Sequence, residues 1–339
     1  MKVIVDNKIP YIKEAIEALA DEVVYLPGQS FTPQVVKEAD ALLIRTRTRC
    51  DRSLLEGSRV RFIGTATIGF DHIDTDYCRT AGIAWSNCPG CNAGAVEQYL
   101  HSVLLLLQCE KGVDLRQSCL GVIGVGHVGS RVAAMAERLG LRVLRNDPPR
   151  ADRGEPGFVP LETLAAECNL LSFHTPLIRE GKYCTFHLAD ASFLRSLQQQ
   201  PYLINTARGE VTDTAALLSA LEEGQLAGAV LDVWENEPNI NRELLDKVFI
   251  GTPHIAGYSA DGKANATRMV LQAFCRHFGK RADFSIEPPE LPHAPYDERP
   301  DIRQLQQYNP HRDCDALRAR PDLFEQLRGD YPLRREGGS

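Results

Sequence analysis

Three polar residues stand where short apolar runs give way to loop-like sequence. Arg208 follows Asn205-Thr206-Ala207 and precedes Gly209, Glu237 lies in Trp234-Glu235-Asn236-Glu237-Pro238, and His254 lies in Thr252-Pro253-His254-Ile255-Ala256-Gly257. An imidazole titrates near neutrality, so it can take a hydroxyl proton as a hydride leaves the same carbon, and return it in reverse. A carboxylate beside the ring fixes its tautomer and stabilises its protonated form. A guanidinium can hold a substrate carboxylate in two parallel hydrogen bonds and polarise the neighbouring carbonyl. Singly, each has an ordinary explanation as a surface charge, a loop residue or a polar group near a helix. Together they fit oxidation of a small 2-hydroxy acid at its carbinol carbon.

Such chemistry needs a hydride acceptor, and the chain has a site for one. Gly124-Val125-Gly126-His127-Val128-Gly129 follows a buried-type strand and opens a helical stretch, Val128–Leu139. Glycines there permit a tight turn and let backbone approach a pyrophosphate, whose charge sits at the helix N-terminus. The next strand ends at Asp147, 18 residues beyond Gly129, where a carboxylate would accept the ribose hydroxyls. A carboxylate at that point repels the extra phosphate of NADP and favours NAD. The pattern alone is weak; its strand–turn–helix context gives it weight.

The elements that must position these residues fall into two series of strands alternating with helices, which implies parallel sheets covered on both faces. The first series contains Lys2–Asp6, Val23–Leu26, Ala41–Arg45, Arg61–Ala66 and Ile83–Asn87. The second contains Cys119–Ile123, Leu141–Asn146, Leu170–Thr175, Tyr202–Thr206, Gly228–Val233 and Val248–Thr252. The expected fold is therefore α/β, with two doubly wound lobes: a flavodoxin-like substrate lobe (1–92 with 259–280) and a Rossmann NAD lobe (93–258). Long helical patterns at Asn92–Glu110 and Ala260–Phe278 join the lobes. Pro288, Pro289, Pro292, Pro295 and Pro300 then mark an irregular linker within a short C-terminal appendage, 281–339.

Composition limits the partners. A formal charge of −7 over 339 residues argues against nucleic acid, which needs a basic face. The apolar runs are far too short for a membrane span or signal peptide, so a cytoplasmic protein without a membrane partner is expected. The ten cysteines are scattered apart from Cys88-Pro89-Gly90-Cys91, and isolated cysteines act as small apolar fillers in a reducing compartment. No second CxxC follows, so no metal site is expected.

The runs Leu203–Glu210, Leu231–Pro238 and Thr252-Pro253-His254 resemble the D-2-hydroxyacid dehydrogenase family over residues 1 to about 280. The resemblance implies that Arg208 orients substrate, Glu237 pairs with the histidine and His254 is the acid/base. It further implies NAD contacts from Asp147, Thr175, Thr206, Ala207, Arg208, Asp232 and Gly257, beside Gly124, Gly126, His127, Val128 and Gly129 of the glycine turn. Val5–Tyr11, Gly64–His72 and Pro89–Ala93 resemble a branch of that family whose substrate is a small anionic hydroxy acid phosphorylated at its far end. Arg45, Thr46 and Thr67 are candidates for that end, and Tyr258 for a further substrate contact. In that branch serine is expected where Thr46 stands, which preserves the hydroxyl. If Arg45–Arg49 is extended, its three arginines share one face. The branch also implies a homodimer built on a C-terminal domain, which is shortened here although Asp322–Tyr331 resembles part of it. A 3-phosphoglycerate or glyoxylate/hydroxypyruvate enzyme of the same family stays open, as does a non-catalytic NAD(H)-sensing protein on the same fold.

Overall fold

Runs of four or five largely apolar residues, buried along their whole length, form the central strands: Ala41–Ile44, Phe62–Thr65, Cys119–Ile123, Leu170–Phe173 and Gly228–Leu231. Burial on both faces requires a cover of helices, and the helices supply it. The computed structural model describes residues 1–290 and 297–336; Pro292 and Pro295 of the expected linker lie outside the described residues. The chain divides into two units, one from Met1–Asn92 and the stretch beginning at Ser259, the other from Ala93–Tyr258 and the C-terminal stretch.

The first unit holds β1 (Lys2–Asp6), β2 (Glu22–Leu26), β3 (Ala41–Ile44), β4 (Phe62–Thr65) and β5 (Ala84–Ser86) in the order β2-β1-β3-β4-β5, all parallel. This is the flavodoxin-like order, and its switch point lies between β1 and β3. Val3, Val5, Leu43 and Phe62 pack under Ile16, Val270 and Phe274, while Ile4, Leu42, Ile44 and Ile63 face Val36, Leu54 and Cys78. The helix Ala260–Phe278 therefore belongs to this sheet. Cys88 is buried, its Sγ donating to the carbonyls of Thr65 and Ala266 at 3.4 and 3.2 Å, a packing role rather than an exposed redox one.

The second unit holds β6 (Cys119–Ile123), β7 (Arg142–Asn146), β8 (Leu170–Phe173), β9 (Tyr202–Asn205), β10 (Gly228–Leu231) and β11 (Ile250–Gly251) in the order β11-β10-β9-β8-β6-β7, again parallel. Its switch point falls between β6 and β8, so the loops after those two strands border the ligand crevice such sheets provide. One face packs on Tyr99, Leu100 and Val103 of the helix Ala93–Lys111, the other on Leu164 and Leu217.

The C-terminal stretch beyond the proline-marked linker forms the helices Pro300–Gln307, His311–Ala319 and Phe324–Gly329 on this unit. Its polar residues are the reason it looked detachable, yet several of them are internal. Gln304 donates to Gln98 O and Ser102 Oγ, and Cys314 Sγ accepts from Gly251 N at the edge strand β11. Arg334 is 9% exposed and donates to Gln98 Oε1 and to the carbonyls of Ala95, Ile255 and Ala256. No helix among the described residues is long and apolar enough to cross a membrane.

Candidate active site

The cofactor side is built by close packing at the switch point. Gly124, directly after β6, has φ 84°, and a Cβ on it would lie 2.8 Å from His174 O and 2.9 Å from Thr175 Cγ2. Gly129 abuts Gly124, whose carbonyl oxygen would lie 2.0 Å from an added Cβ, so the helix His127–Arg138 runs hard against the turn. Around Gly126, by contrast, nothing lies within 4 Å of that position. The open space therefore lies at the helix N-terminus, where the first N–H groups have no intrahelical partner. Asp147 brings its carboxylate to the same turn, accepting from Val125 N at 2.9 Å and from Arg150 N at 3.1 Å.

Two further features point to an absent polar ligand. The hydroxyls of Thr175 and Thr206 are buried without a hydrogen-bond partner, a costly state that a ligand donor or acceptor would relieve. They follow β8 and β9, which are neighbours in the sheet. The orphaned hydroxyls, the open glycine turn and the Asp147 carboxylate suit a dinucleotide.

The chemical side comes from the loops after β9, β10 and β11. Asn205 pins the first loop, its Oδ1 accepting from Ala207 N and its Nδ2 donating to Arg208 O. Arg208 is half-buried and donates through Nη1 to Ala207 O. Glu237 accepts from Trp234 N through Oε1 at 2.9 Å and faces His254 Nδ1 through Oε2 at 2.8 Å. Burial alone would raise the Glu237 carboxyl. The His254 hydrogen bond and charge, the Trp234 N–H and the Arg328 guanidinium outweigh it and hold the group below the usual carboxylate range. The loop bearing His254 is held from beneath by Asp232, which accepts from Thr252 Oγ1, Ile255 N and Ala256 N. His254 itself has φ 58°, a left-handed backbone that the surrounding bonds must maintain. Gly257 lies in the turn closed by Tyr258 N on Ile255 O, and the Tyr258 hydroxyl accepts from Arg328 Nε at 3.3 Å.

The remaining candidates belong to the first unit, at the carboxyl ends of β3 and β4. Arg45 donates to Lys8 O at 3.4 Å, across the β1/β3 switch point. Thr46 is exposed, and Thr67 Oγ1 bonds Thr65 Oγ1 at 2.6 Å and Gly69 O at 2.9 Å. The arginine run is not extended: it turns at Arg45, whose carbonyl accepts from Thr48 N, and Thr48 buries its hydroxyl on Gly28 O. The shared face that an extended run would give its three arginines is therefore not formed, and Arg49 pairs with Asp51 at 3.0 Å. Among the described residues no group of three His, Cys, Asp or Glu side chains could hold a metal ion. Arg328 was missed by sequence reasoning; its one signal was its place in the Asp322–Tyr331 segment.

Comparison with known proteins shows the family to which the chain belongs. Residues 105–256 match the model of the D-isomer specific 2-hydroxyacid dehydrogenase NAD binding domain. A Bacteroides fragilis protein called erythronate-4-phosphate dehydrogenase is 59% identical over 345 aligned positions, covering 100% of this chain and 98% of its own. The Cronobacter sakazakii protein of the same name is 45% identical, with 100% and 93% covered. Among solved structures, D-lactate dehydrogenase from Aquifex aeolicus, complexed with NAD and lactic acid, superposes with a TM-score of 0.67 at 27% identity, over 82% of this chain and 96% of its own.

Proposed function

Because the chain belongs to the D-isomer-specific 2-hydroxyacid dehydrogenase family, with erythronate-4-phosphate dehydrogenases as full-length relatives, we propose that it oxidises 4-phospho-D-erythronate to (R)-3-hydroxy-2-oxo-4-phosphobutanoate. NAD, when bound, supplies the hydride acceptor. The same reading places the reaction in the biosynthesis of vitamin B6.

The observation that carries this reading is the 2.8 Å contact between His254 Nδ1 and Glu237 Oε2. An ionised carboxylate can only accept, so Nδ1 keeps the proton and Nε2 presents a lone pair. Nε2 takes the substrate hydroxyl proton as the hydride departs from the same carbon, and Glu237 stabilises the imidazolium that results. Arg208 holds the substrate carboxylate in a paired hydrogen bond, which orients the carbinol carbon. Tyr258 is a further substrate contact, and Arg45, Thr46 and Thr67 take the phosphorylated end. Gly124, Gly126 and the His127–Gly129 helix start hold the pyrophosphate; Asp147 takes the ribose hydroxyls and selects NAD. Thr175, Thr206, Ala207 and Gly257 complete the cofactor contacts. Asp232 has three acceptor sites occupied by the His254 loop, leaving one lone pair for an amide donor.

A nicotinamide-absorbance assay tests the assignment, with 4-phosphoerythronate set against 3-phosphoglycerate and 2-oxo acids added as electron acceptors. A higher kcat/KM for 3-phosphoglycerate would overturn the substrate. The proposal includes a cytoplasmic homodimer without a nucleic-acid partner. The net charge of −7 supports the last point, and the resemblance of Asp322–Tyr331 to a dimerisation segment supports the second.

A further inference from the structure

Glu237 and Tyr258 share a partner that the roles above do not use. Arg328, in the helix Phe324–Gly329, places Nη1 3.8 Å from Glu237 Oε2 and donates through Nε to the Tyr258 hydroxyl at 3.3 Å. Oε2 is the same oxygen that faces His254 Nδ1. At 3.8 Å the guanidinium acts on Oε2 as a charge rather than a hydrogen-bond donor. The side chains of Arg328, Glu237 and His254 are only 25%, 18% and 27% exposed, so water screens the row weakly.

A structural role in docking the helix is the simpler explanation, and the packing speaks against it. Phe324 is fully buried and holds the same helix through apolar contact. Arg328 Nη1 also lies 3.9 Å from Glu325 on the helix itself, a pairing whose carboxylate is 40% exposed and so more screened by water than Glu237. The guanidinium reaches the two site residues in addition to that local contact.

We propose that Arg328 is a positioning residue of the acid/base pair, holding Glu237 ionised toward His254 while it fixes the hydroxyl of Tyr258. The inference rests on the reading of His254 as the base. Its sign follows from charge order. The cation opposes protonation of His254 directly, and it partly offsets the Glu237 charge that favours protonation. Both effects vanish together when Arg328 is removed, so His254 then keeps its proton to higher pH. The other charged groups around the His254 loop are Asp232 beneath it and Arg334 on the carbonyls of Ile255 and Ala256, with Arg208 on the loop after β9. These stay in place in the variants and cannot produce the difference.

The test is the pH profile of kcat/KM for 4-phosphoerythronate oxidation by the full-length enzyme. Arg328→Met should move the acid limb up by about half a unit to one unit and raise KM severalfold through Tyr258. Arg328→Lys should restore the limb while KM stays raised, a split that mere loss of packing would not give. NAD affinity, followed by fluorescence, should match the wild type in both. Where the Met variant does not fold, Arg328→Gln, polar and likewise uncharged, must show the same upward shift. An unmoved limb in the charge-free variants, with NAD still bound, overturns the proposal. Full turnover by His254→Asn would instead overturn the base assignment on which it rests.

Discussion

A Cβ added to Gly209 would lie 2.0 Å from both the carbonyl carbon and the oxygen of Trp234 and 2.5 Å from Glu235 N. The loop that carries Arg208 is thus pressed against the backbone from which Glu237 springs. Backbone on both sides leaves nothing flexible to yield, so any side chain at 209 must push the two loops apart.

The substitution Gly209→Ala should therefore misplace Arg208 relative to the Glu237–His254 pair. Overpacking of this kind costs about 1–3 kcal/mol, and a displacement near 1 Å at a reacting group costs about a hundredfold in rate. Urea denaturation and steady-state kinetics measured together should show both losses. A variant with wild-type kcat/KM would mean that Arg208 and Glu237 do not act as one constellation.

The acid/base pair makes a second prediction, in two variants with different signatures. His254→Asn keeps a polar side chain but removes the base, so turnover should fall by about a hundredfold or more with NAD affinity nearly intact. Glu237→Gln removes the charge that favours imidazolium, so the acid limb of the pH profile should move down. That direction is opposite to the one expected for Arg328→Met. Equal limbs in the Glu237→Gln variant and the wild type would separate Glu237 from the titration of His254.

Much of this was legible beforehand, for identifiable reasons. Cys119–Ile123 and Ala41–Ile44 are buried on both faces, and continuous apolar runs betray such strands without any partner in view. The glycine turn, Arg208, Glu237 and His254 sit directly after strands, where an open α/β sheet must present its ligand contacts. The arginine run misled because Thr48 buries its hydroxyl on Gly28 O, a contact over 20 residues that no local pattern announces. Arg334 and Arg328 were illegible for a related reason. A buried arginine and a solvated one look identical in sequence, and only partners distant along the chain distinguish them, such as the carbonyls of Ala95 and Ile255 for Arg334 and the Tyr258 hydroxyl for Arg328.

The orphaned hydroxyls of Thr175 and Thr206 give a third prediction, in which stability and binding move apart. Threonine to valine keeps the shape and removes a buried group that has no partner in the free protein. Thr175→Val and Thr206→Val should leave the NAD-free protein as stable as the wild type or more so. Each should weaken NAD by about 1 kcal/mol, or roughly fivefold, if the hydroxyl bonds the cofactor. Thermal unfolding without NAD and a titration with it make the comparison. Unchanged affinity in both variants would show that these hydroxyls do not face the dinucleotide.

The last prediction concerns pH and the histidine beside Thr175. His174 bonds Ser172 Oγ through Nε2 at 2.9 Å, and burial pushes its pKa down to about 3. The unfolded chain binds a proton near pH 6.5 that the folded chain does not, so between those values stability must rise with pH. The contribution is complete above pH 6.5 and declines as pH falls toward 3. From pH 7 to pH 5 it should remove about 1–2 kcal/mol. His72 and His101 are lowered for the same primary reason, burial, and add to the slope in the same direction. Urea midpoints at the two pH values should therefore fall farther apart in the wild type than in His174→Gln, whose side chain is neutral throughout. Equal spacing in the two proteins would mean that His174 takes up its proton without unfolding, and that the loop between β8 and Thr175 opens to water in the free enzyme.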